Sequence, residues 1–350
     1  MILAVNPGAT STKLGVFEDE QPVFKTTVEH QGASLDRFAR VVDQLDYRRE
    51  LILAALQRAG IDLAVLDAVV GRGGPLKPLE GGTYAVNAAL LADLGAAREH
   101  ASILGGMLAD ALARPLGIPA YIVDPVSVDE MEPEARISGL PELPRVSFSH
   151  ALNSKAVARR MARELGRTYA DCNFVVAHLG TGISITAHRK GRMVDVSGAD
   201  EEGPFSPARA AGLPSLLLAR LCYSGRYTEA QMVDRLMNTG GLCAHLGTRD
   251  VREAEQRAQD GDAHAALVMK AMAYRIAREI GAMATVLSGR VDRIVLTGGI
   301  AHSGRLVAAV SERVGFIAPV VVMAGEEELE ALAEGALRVL RGEEAARVYA

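Results

Sequence analysis

Two short segments of the chain combine a glycine turn with hydroxyl side chains, an arrangement suited to binding phosphate. The first is N-P-G-A-T-S-T-K at residues 6–13, and the second is H-L-G-T-G-I-S at residues 178–184. Gly8 lets the backbone turn tightly, turn amides and hydroxyls can donate to phosphate oxygens, and Lys13 adds a positive charge. The spacing of a P-loop is absent. Each segment also has an alternative without a ligand. The first could be a plain hairpin turn, and the histidine of the second could be structural.

Two further segments place an arginine or a glycine pair where a ligand could bind. In E-E-G-P-F-S-P-A-R at residues 201–209, the prolines and the glycine exclude a regular element. Arg209 could hold a carboxylate or phosphate through two parallel hydrogen bonds; a solvated arginine on a surface loop is the alternative. T-G-G-I-A at residues 297–301 follows an apolar run, and glycines at the carboxyl end of a strand suit close contact with a ligand. Arg72, between two glycines, also follows a predicted strand.

The periodicity of apolar residues predicts the elements that must position these segments. Hairpins are predicted from the runs at 2–5 with 14–17 and at 174–177 with 183–187. Other strands are predicted at 67–70, 120–123 and 293–296, and helices at 51–59, 153–165, 263–287 and 327–340. Asn153 is predicted to be the N-cap of its helix. Asp124 would end a strand, and His150 would precede a helix.

The two glycine-turn segments also resemble each other. Each has an apolar strand, a polar residue, a turn with glycine and hydroxyl residues, and then a second strand, and the two lie about half the chain apart. Self-similarity at this distance indicates a duplicated domain with two phosphate-facing hairpins. Two unrelated hairpins are the alternative.

The composition is that of an ordinary globular protein, with 350 residues, 49% hydrophobic residues and a net charge of −5. The length suits two domains, and the charge does not indicate a nucleic-acid partner. No apolar stretch reaches the roughly 18 residues of a membrane span, and no secretory signal is visible. Cys172, Cys222 and Cys243 lack CxxC spacing, so we expect them to be reduced, buried thiols. We therefore expect a cytoplasmic protein, and the lack of a long apolar stretch leads us to expect no membrane partner.

Taken together, these segments resemble the butyrate kinases, a branch of the acetate kinase family within the actin and sugar-kinase superfamily. The similarity runs in order from Asn6 to the helix after Glu327. The N-P-G-x-T-S-T-K and E-G-P-F-S-P-x-R motifs are similar to butyrate kinases in particular, whereas H-L-G-x-G-x-S is shared with acetate kinases. Two departures are Ala9, where these enzymes usually have serine, and Thr181, where acetate kinases have asparagine.

The resemblance implies an α/β fold of two duplicated actin-like (ribonuclease H-like) domains, with mixed sheets flanked by helices and a nucleotide cleft between them. Residues 1–148 plus about 326–350 would form the acyl-substrate and phosphate domain, with a returning C-terminal helix. Residues 149–325 would form the nucleotide-binding domain.

The resemblance also implies roles for individual positions. The catalytic residues would be Arg209, His178, His150 and Asp124. Substrate and phosphate would be bound by Asn6, Ser11, Lys13, Arg72, Gly180 and Gly182. The nucleotide would be bound by Gly298, Gly299 and Ile300. Mg²⁺ would be held by Glu327, by Asn6 and, through water, by Asp124.

The implied activity is reversible, ATP-dependent phosphorylation of butyrate, or of a related short or branched fatty acid, to an acyl phosphate and ADP by direct in-line transfer. Mg²⁺ and ATP or ADP are the expected cofactor and co-substrate, and a homo-oligomer, a dimer or larger, is expected. One alternative is a sugar kinase of the same superfamily, with Asp124 as the base that deprotonates a hydroxyl. The other is a non-catalytic ATP-binding switch.

Overall fold

The computed structural model describes residues 1–30 and 32–350, and the chain forms two compact units. The first unit comprises Met1–Val128 and Glu327–Ala350, and the second comprises Asp129–Glu326.

The described residues form strands and helices in alternation. The strands are β1 (Ile2–Pro7), β2 (Ser11–Glu18), β3 (Gln21–Glu29), β4 (Ala68–Arg72), β5 (Thr83–Ala85), β6 (Ala120–Val123), β7 (Asn173–Leu179), β8 (Ile183–Arg189), β9 (Arg192–Ser197), β10 (Arg293–Gly298), β11 (Val320–Ala324) and β12 (Arg347–Val348). The helices are α1 (Gly32–Leu35), α2 (Leu45–Arg58), α3 (Ala88–Ala96), α4 (Ile103–Ala113), α5 (Pro133–Arg136), α6 (Ala151–Glu164), α7 (Ser215–Cys222), α8 (Glu229–Met237), α9 (Gly241–Leu246), α10 (Val251–Gln259), α11 (Ala263–Val286), α12 (Gly304–Val314) and α13 (Glu328–Leu340). Short 3-10 turns lie at Val41–Gln44, Leu63–Val65, Arg114–Leu116, Tyr169–Asp171 and Gly299–His302.

The first unit is built on a mixed sheet with the strand order β12-β5-β6-β4-β1-β2-β3. Strands β1, β2 and β3 form an antiparallel meander, and β1, β4 and β6 run parallel to one another. Every residue of β1 is buried, as expected for a central strand covered on both faces. Helices α4 and α13 both pack against β1, β4 and β6, so the last helix of the chain belongs to the first sheet.

The second unit is built on a five-stranded mixed sheet with the order β11-β10-β7-β8-β9. Strands β7, β8 and β9 form an antiparallel meander, and β7, β10 and β11 run parallel. Helix α6 packs against β7 and β10, and the long helix α11 packs against β7 and β8.

The two sheets share one plan. The order β3-β2-β1-β4-β6 in the first unit repeats as β9-β8-β7-β10-β11 in the second, with the same parallel and antiparallel pairings. The predicted fold class, two duplicated actin-like α/β domains with mixed sheets flanked by helices, is confirmed. The assignment of acyl substrate to one domain and nucleotide to the other stays a prediction.

Three sequence predictions need correction. Helix α6 begins at Ala151 with His150 as its N-cap, so Asn153 lies inside the first turn. Helix α2 begins at Leu45, earlier than the predicted residue 51. The prediction began too late because the first turn of the helix carries few apolar residues. Cys172 is buried, but Cys222 is exposed. Within the described ranges, none of the helices combines the length and apolar character needed to cross a bilayer.

Candidate active site

The turn between β7 and β8 is shaped by glycines that make room for other side chains. Pairing of the two strands places His178 opposite Ser184 just before the turn. A Cβ at Gly180 would lie 2.9 Å from Nε2 of His178, and a Cβ at Gly182 would overlap the guanidinium of Arg209. Glycine at these positions thus leaves the space that His178 and Arg209 occupy beside the turn.

Two imidazole rings stack beside this turn. The centroids of His150 and His178 are 3.8 Å apart, and the rings are nearly parallel. Nδ1 of His178 lies 2.7 Å from Oδ1 of Asn153, and Nδ1 of His150 lies 3.0 Å from Oγ of Ser184. The carboxylate of Glu326 lies 3.8 Å from Nε2 of His178. The two predicted catalytic histidines are thus brought together, on a site whose ring orientations are fixed by neighbouring polar side chains.

The loop that carries Arg209 is irregular, as predicted, and is fastened to the glycine turn. The hydroxyl of Ser206 donates to the carbonyl of Thr181. The same hydroxyl accepts from the backbone N–H of Arg209 at 3.1 Å. NH1 of Arg209 pairs with Oδ1 of Asp200 at 2.7 Å. The Arg209 side chain is partly exposed.

Arg145 anchors the start of the same loop. Its guanidinium donates to both carboxylate oxygens of Glu202, at 2.8 and 2.9 Å, and to the carbonyl of Val196 at 2.8 Å. Hydrogen bonding to Glu202 holds the pKa of Arg145 above its ordinary value. A bidentate, half-buried pair of this kind fixes geometry better than a single exposed contact.

A cavity of about 1050 Å³ in the second unit joins the glycine turn to the predicted nucleotide-binding residues. Gly180, Thr181, Gly299 and Ile300 line it. At Gly298, with φ of 86°, a Cβ would overlap the carbonyl of Leu179, so the glycine allows β10 and β7 to end side by side.

Sequence analysis missed three arginines that line this cavity: Arg249, Arg252 and Arg305. Asp250, between the first two, is the N-cap of α10 and pairs with Arg252 at 2.7 Å. The run T-R-D-V-R at residues 248–252 carries the signal of a capped helix start. A helix start alone does not indicate a ligand, so only the fold places these cations at the cavity.

In the first unit, Asn6, Arg72 and Glu328 meet in one network. Asn6, the penultimate residue of β1, lies opposite Lys13, and its Nδ2 donates to Oε2 of Glu328. Oε1 of the same carboxylate pairs with NH1 of Arg72 at 2.9 Å. Sequence analysis named Glu327, which is the left-handed N-cap of α13, with φ of 40°. It missed Glu328, which contacts Asn6 across 322 residues of chain.

The first turn rests on a buried arginine that sequence analysis also missed. Arg48 donates to the carbonyls of Gly8 at 2.9 Å and Ala9 at 3.2 Å, and to the hydroxyl of Thr12 at 3.1 Å. Burial lowers the pKa of Arg48 from its ordinary value. Oγ1 of Thr12 also contacts Nε2 of His30 at 2.8 Å. Ser11 and Lys13 flank this turn, Ser11 half-buried and Lys13 exposed.

The sequence pattern that defines the acetokinase family matches residues 145–325, just over half of the chain. The chain belongs to the acetokinase family. Its broad class is therefore that of the carboxylate kinases, which use ATP and small-molecule substrates.

Solved structures agree with this assignment at the level of the fold. The acetate kinase of Porphyromonas gingivalis is 20% identical, with a TM-score of 0.80 over 96% of this chain and 98% of that one. A propionate kinase from Francisella tularensis is 19% identical, with a TM-score of 0.75 over 96% and 98%. A ROK family protein from Streptococcus pneumoniae is 12% identical, with a TM-score of 0.55 over 98% and 99%.

For an acetokinase-family chain, the first-unit network has the donors that a hydrated Mg²⁺ uses. Oδ1 of Asn6 is buried and has no hydrogen-bond partner in residues 1–30 and 32–350, while Nδ2 is held by Glu328. The part of the chain that is described holds no group of three or more His, Cys, Asp or Glu side chains able to bind a metal. Mg²⁺ normally keeps several waters and takes one or two carboxylates plus substrate phosphates. The buried, unpartnered oxygen of Asn6 fits one ligand position on a hydrated ion bound with nucleotide.

Asp124 is buried and hydrogen-bonded at the end of β6. It is 1% exposed, and its Oδ1 accepts a hydrogen bond from the backbone N–H of Gly82 at 2.7 Å. Its backbone is left-handed, with φ of 37°, which is uncommon for a residue other than glycine. The carboxylate is thus partly committed to shaping the end of β6.

Proposed function

We propose that this chain is a carboxylate kinase of the butyrate type, which transfers the γ-phosphoryl group of ATP to a short-chain fatty acid. The observation that carries the proposal is the convergence of the stacked histidines, the Gly180–Gly182 turn and Arg209 in the second unit, beside a cavity lined by Gly299 and Ile300. Donors and a cation around one glycine turn suit a phosphoryl group in transfer.

Phosphoryl transfer to a carboxylate needs positive charge and hydrogen-bond donors, which are the residue types found here. A carboxylate is already deprotonated at pH 7, so it needs no general base. One of its oxygens attacks the γ-phosphorus, the bond from phosphorus to the β,γ-bridging oxygen breaks, and ADP leaves. Both partners are anions, so the enzyme must supply positive charge and in-line positioning.

In the second unit, we assign the phosphoryl group to Arg209, His178 and His150. Arg209 would exchange its contact with Asp200 for phosphoryl oxygens, because a bidentate phosphate contact is a stronger partner than a partly exposed carboxylate. Gly180 and Gly182 would admit the phosphate chain, and Gly298 to Ile300 the adenosine. The arginines of the cavity would neutralise the remaining phosphate charge.

In the first unit, we assign the acyl carboxylate to Arg72 and the phosphate contacts to Asn6, Ser11 and Lys13. The Glu328 carboxylate fixes Arg72 in place but also reduces its net charge, so binding of a single carboxylate would be modest. Asn6 and Glu327 would hold Mg²⁺, with Asp124 acting through water. When bound, Mg²⁺ would neutralise charge on the nucleotide phosphates.

A substrate panel tests the proposal. Purified protein, MgATP and acetate, propionate, butyrate, isobutyrate or glucose are incubated, and acyl phosphate is trapped with hydroxylamine while ADP is measured. We expect hydroxamate with butyrate or isobutyrate, and kcat/KM roughly tenfold or more above acetate, because each buried methylene contributes ~1–3 kcal/mol. Acetate as the best substrate would contradict the butyrate assignment.

The same panel separates the two alternatives. A sugar kinase would release ADP with glucose and form no hydroxamate. A non-catalytic switch would bind ATP and form neither product. The sugar-kinase alternative depends on Asp124 as the base, and one oxygen of that carboxylate already accepts from the N–H of Gly82. The cytoplasmic location and the dimer or larger assembly stay predictions.

A further inference from the structure

The proton position on His178 can be deduced from its neighbour Asn153. Nδ2 of Asn153 donates to the carbonyl of Glu326 at 2.9 Å, and a carbonyl can only accept. The amide is therefore oriented with Oδ1 towards the imidazole, 2.7 Å from Nδ1 of His178. Since Oδ1 can only accept, Nδ1 of His178 must carry a proton.

We propose that Asn153 is a positioning residue that keeps the proton of His178 on Nδ1, so that Nε2 of His178 can donate to a phosphoryl oxygen only when the ring is an imidazolium cation. This inference rests on the proposed function for its catalytic consequence, but not for the proton position itself. It assigns His178 the role of an imidazolium cation that forms at the site, where a neutral ring would not donate from Nε2.

The neutral and charged forms of the ring differ in what Nε2 offers. With Nδ1 protonated, Nε2 of the neutral ring has a lone pair and repels an anionic oxygen. In the imidazolium both nitrogens donate, one to Asn153 and one to the phosphoryl group. His178 is 2% exposed, so water is a poor substitute for either partner.

The titratable groups that the described contacts place against His178 act in opposite directions. The Glu326 carboxylate, 3.8 Å from Nε2, favours the cation. The His150 ring, stacked at 3.8 Å, disfavours a second cation in the pair. The hydroxyl of Ser184 can donate to Nδ1 of His150, which would keep that ring neutral with its proton on Nε2. One charged and one neutral donor would then face the phosphoryl group.

The first test is the pH dependence of kcat in two variants of Asn153. In Asn153→Asp, the hydrogen bond to the carbonyl of Glu326 is lost, but a carboxylate oxygen still accepts from Nδ1 and stabilises the imidazolium, so the alkaline limb of kcat moves up by about one pH unit or more. In Asn153→Ala, kcat falls roughly tenfold or more and the alkaline limb moves down, because the cation loses its acceptor. Ser154→Ala is the matched control, since Ser154 is buried in the same helical turn; its profile stays that of the wild type.

An alkaline limb that stays in place in folded, active Asn153→Asp would overturn the proposal. Circular dichroism melts show whether each variant is folded.

The second test needs no change at position 153 and no activity. In the wild-type protein, ¹⁵N resonances of His178, assigned by their loss in His178→Gln, report which nitrogen is protonated. We expect Nδ1 protonated and Nε2 unprotonated in the neutral ring, whether or not butyrate is a substrate. A neutral ring protonated on Nε2 would overturn the inference and leave the proposed function standing.

Discussion

The two glycine turns occupy corresponding places in duplicated sheets, yet they are held in different ways. Asn6 and His178 are the corresponding polar residues, paired across their hairpins with Lys13 and Ser184. Each is oriented by a side chain from the first turn of a helix packed on its own sheet. In the first unit this partner is the Glu328 carboxylate, the first residue of α13. In the second unit it is an amide, that of Asn153 in α6.

Each turn also has an arginine, and the two differ in exposure. Arg48 lies buried beneath the first turn, with its donors bound to backbone carbonyls of the turn. Arg209 lies against the second turn, partly exposed and paired with Asp200. A buried arginine with its donors occupied stabilises a loop, whereas a partly exposed one can exchange its partner for a ligand. The comparison leads us to propose one duplicated scaffold with a structural cation, Arg48, in one copy and a functional cation, Arg209, in the other.

The largest expected effect is on catalysis at the second turn. In Arg209→Ala, kcat should fall on the order of 10³-fold, because a cation that contacts the transferring phosphoryl group is lost. Thermal stability should change little, since the guanidinium is partly exposed. Steady-state kinetics with butyrate, beside a melting curve, measures both. In Arg209→Lys most of the loss should persist, because lysine lacks the bidentate fork. A kcat within tenfold of wild type in folded Arg209→Ala would contradict the assignment.

At the first turn the larger effect should be on stability. Arg48→Met leaves the carbonyls of Gly8 and Ala9 without their partner, so the free energy of unfolding should fall by roughly 2–3 kcal/mol. Urea denaturation measures it. The matched control is Arg341→Met: Arg341 is exposed and pairs with Asp19 and Glu20, so the free energy of unfolding should fall much less than in Arg48→Met. Equal losses in the two variants would remove the distinction between the two arginines.

The last expected effect is a pH dependence of stability that arises from a histidine of the first unit. Burial, and next the charge of Arg48, lower the pKa of His30 from 6.5 to about 4. Between these values the unfolded chain binds a proton that the folded chain does not, so the free energy of unfolding falls as pH drops from 6.5 towards 4. Urea unfolding at several pH values should show a smaller decrease in His30→Gln. An unchanged decrease in that variant would show that His30 is not responsible.

Local sequence patterns were sufficient for most of the sheets. Apolar runs identified both hairpins and β4, β6 and β10. A buried strand can be recognised locally because it consists of a few consecutive apolar residues. The echo between residues 6–13 and 178–184 indicated the duplication, which the repeated strand order confirms.

Long-range side-chain contacts were not visible in the sequence. Asn153 looked like an N-cap because asparagine before a helical pattern usually is one, whereas its amide contacts His178, 25 residues away. Glu328 is the last of three consecutive glutamates, and the sequence alone does not show which of them faces Asn6. That is decided by where α13 begins. Arg48 lies in the first turn of α2, where an arginine is normally solvated. In each case the deciding partner is distant in the chain.

The measurement that tests the central claim most directly is ³¹P NMR of MgATP and butyrate with catalytic amounts of the protein. The account predicts that the γ-phosphate signal declines while an acyl-phosphate signal and ADP grow in equal amounts. It also predicts that Arg209→Ala protein at the same concentration produces almost none. ADP with inorganic phosphate and no acyl phosphate, or an unchanged spectrum, would contradict the claim that phosphate is transferred to a carboxylate.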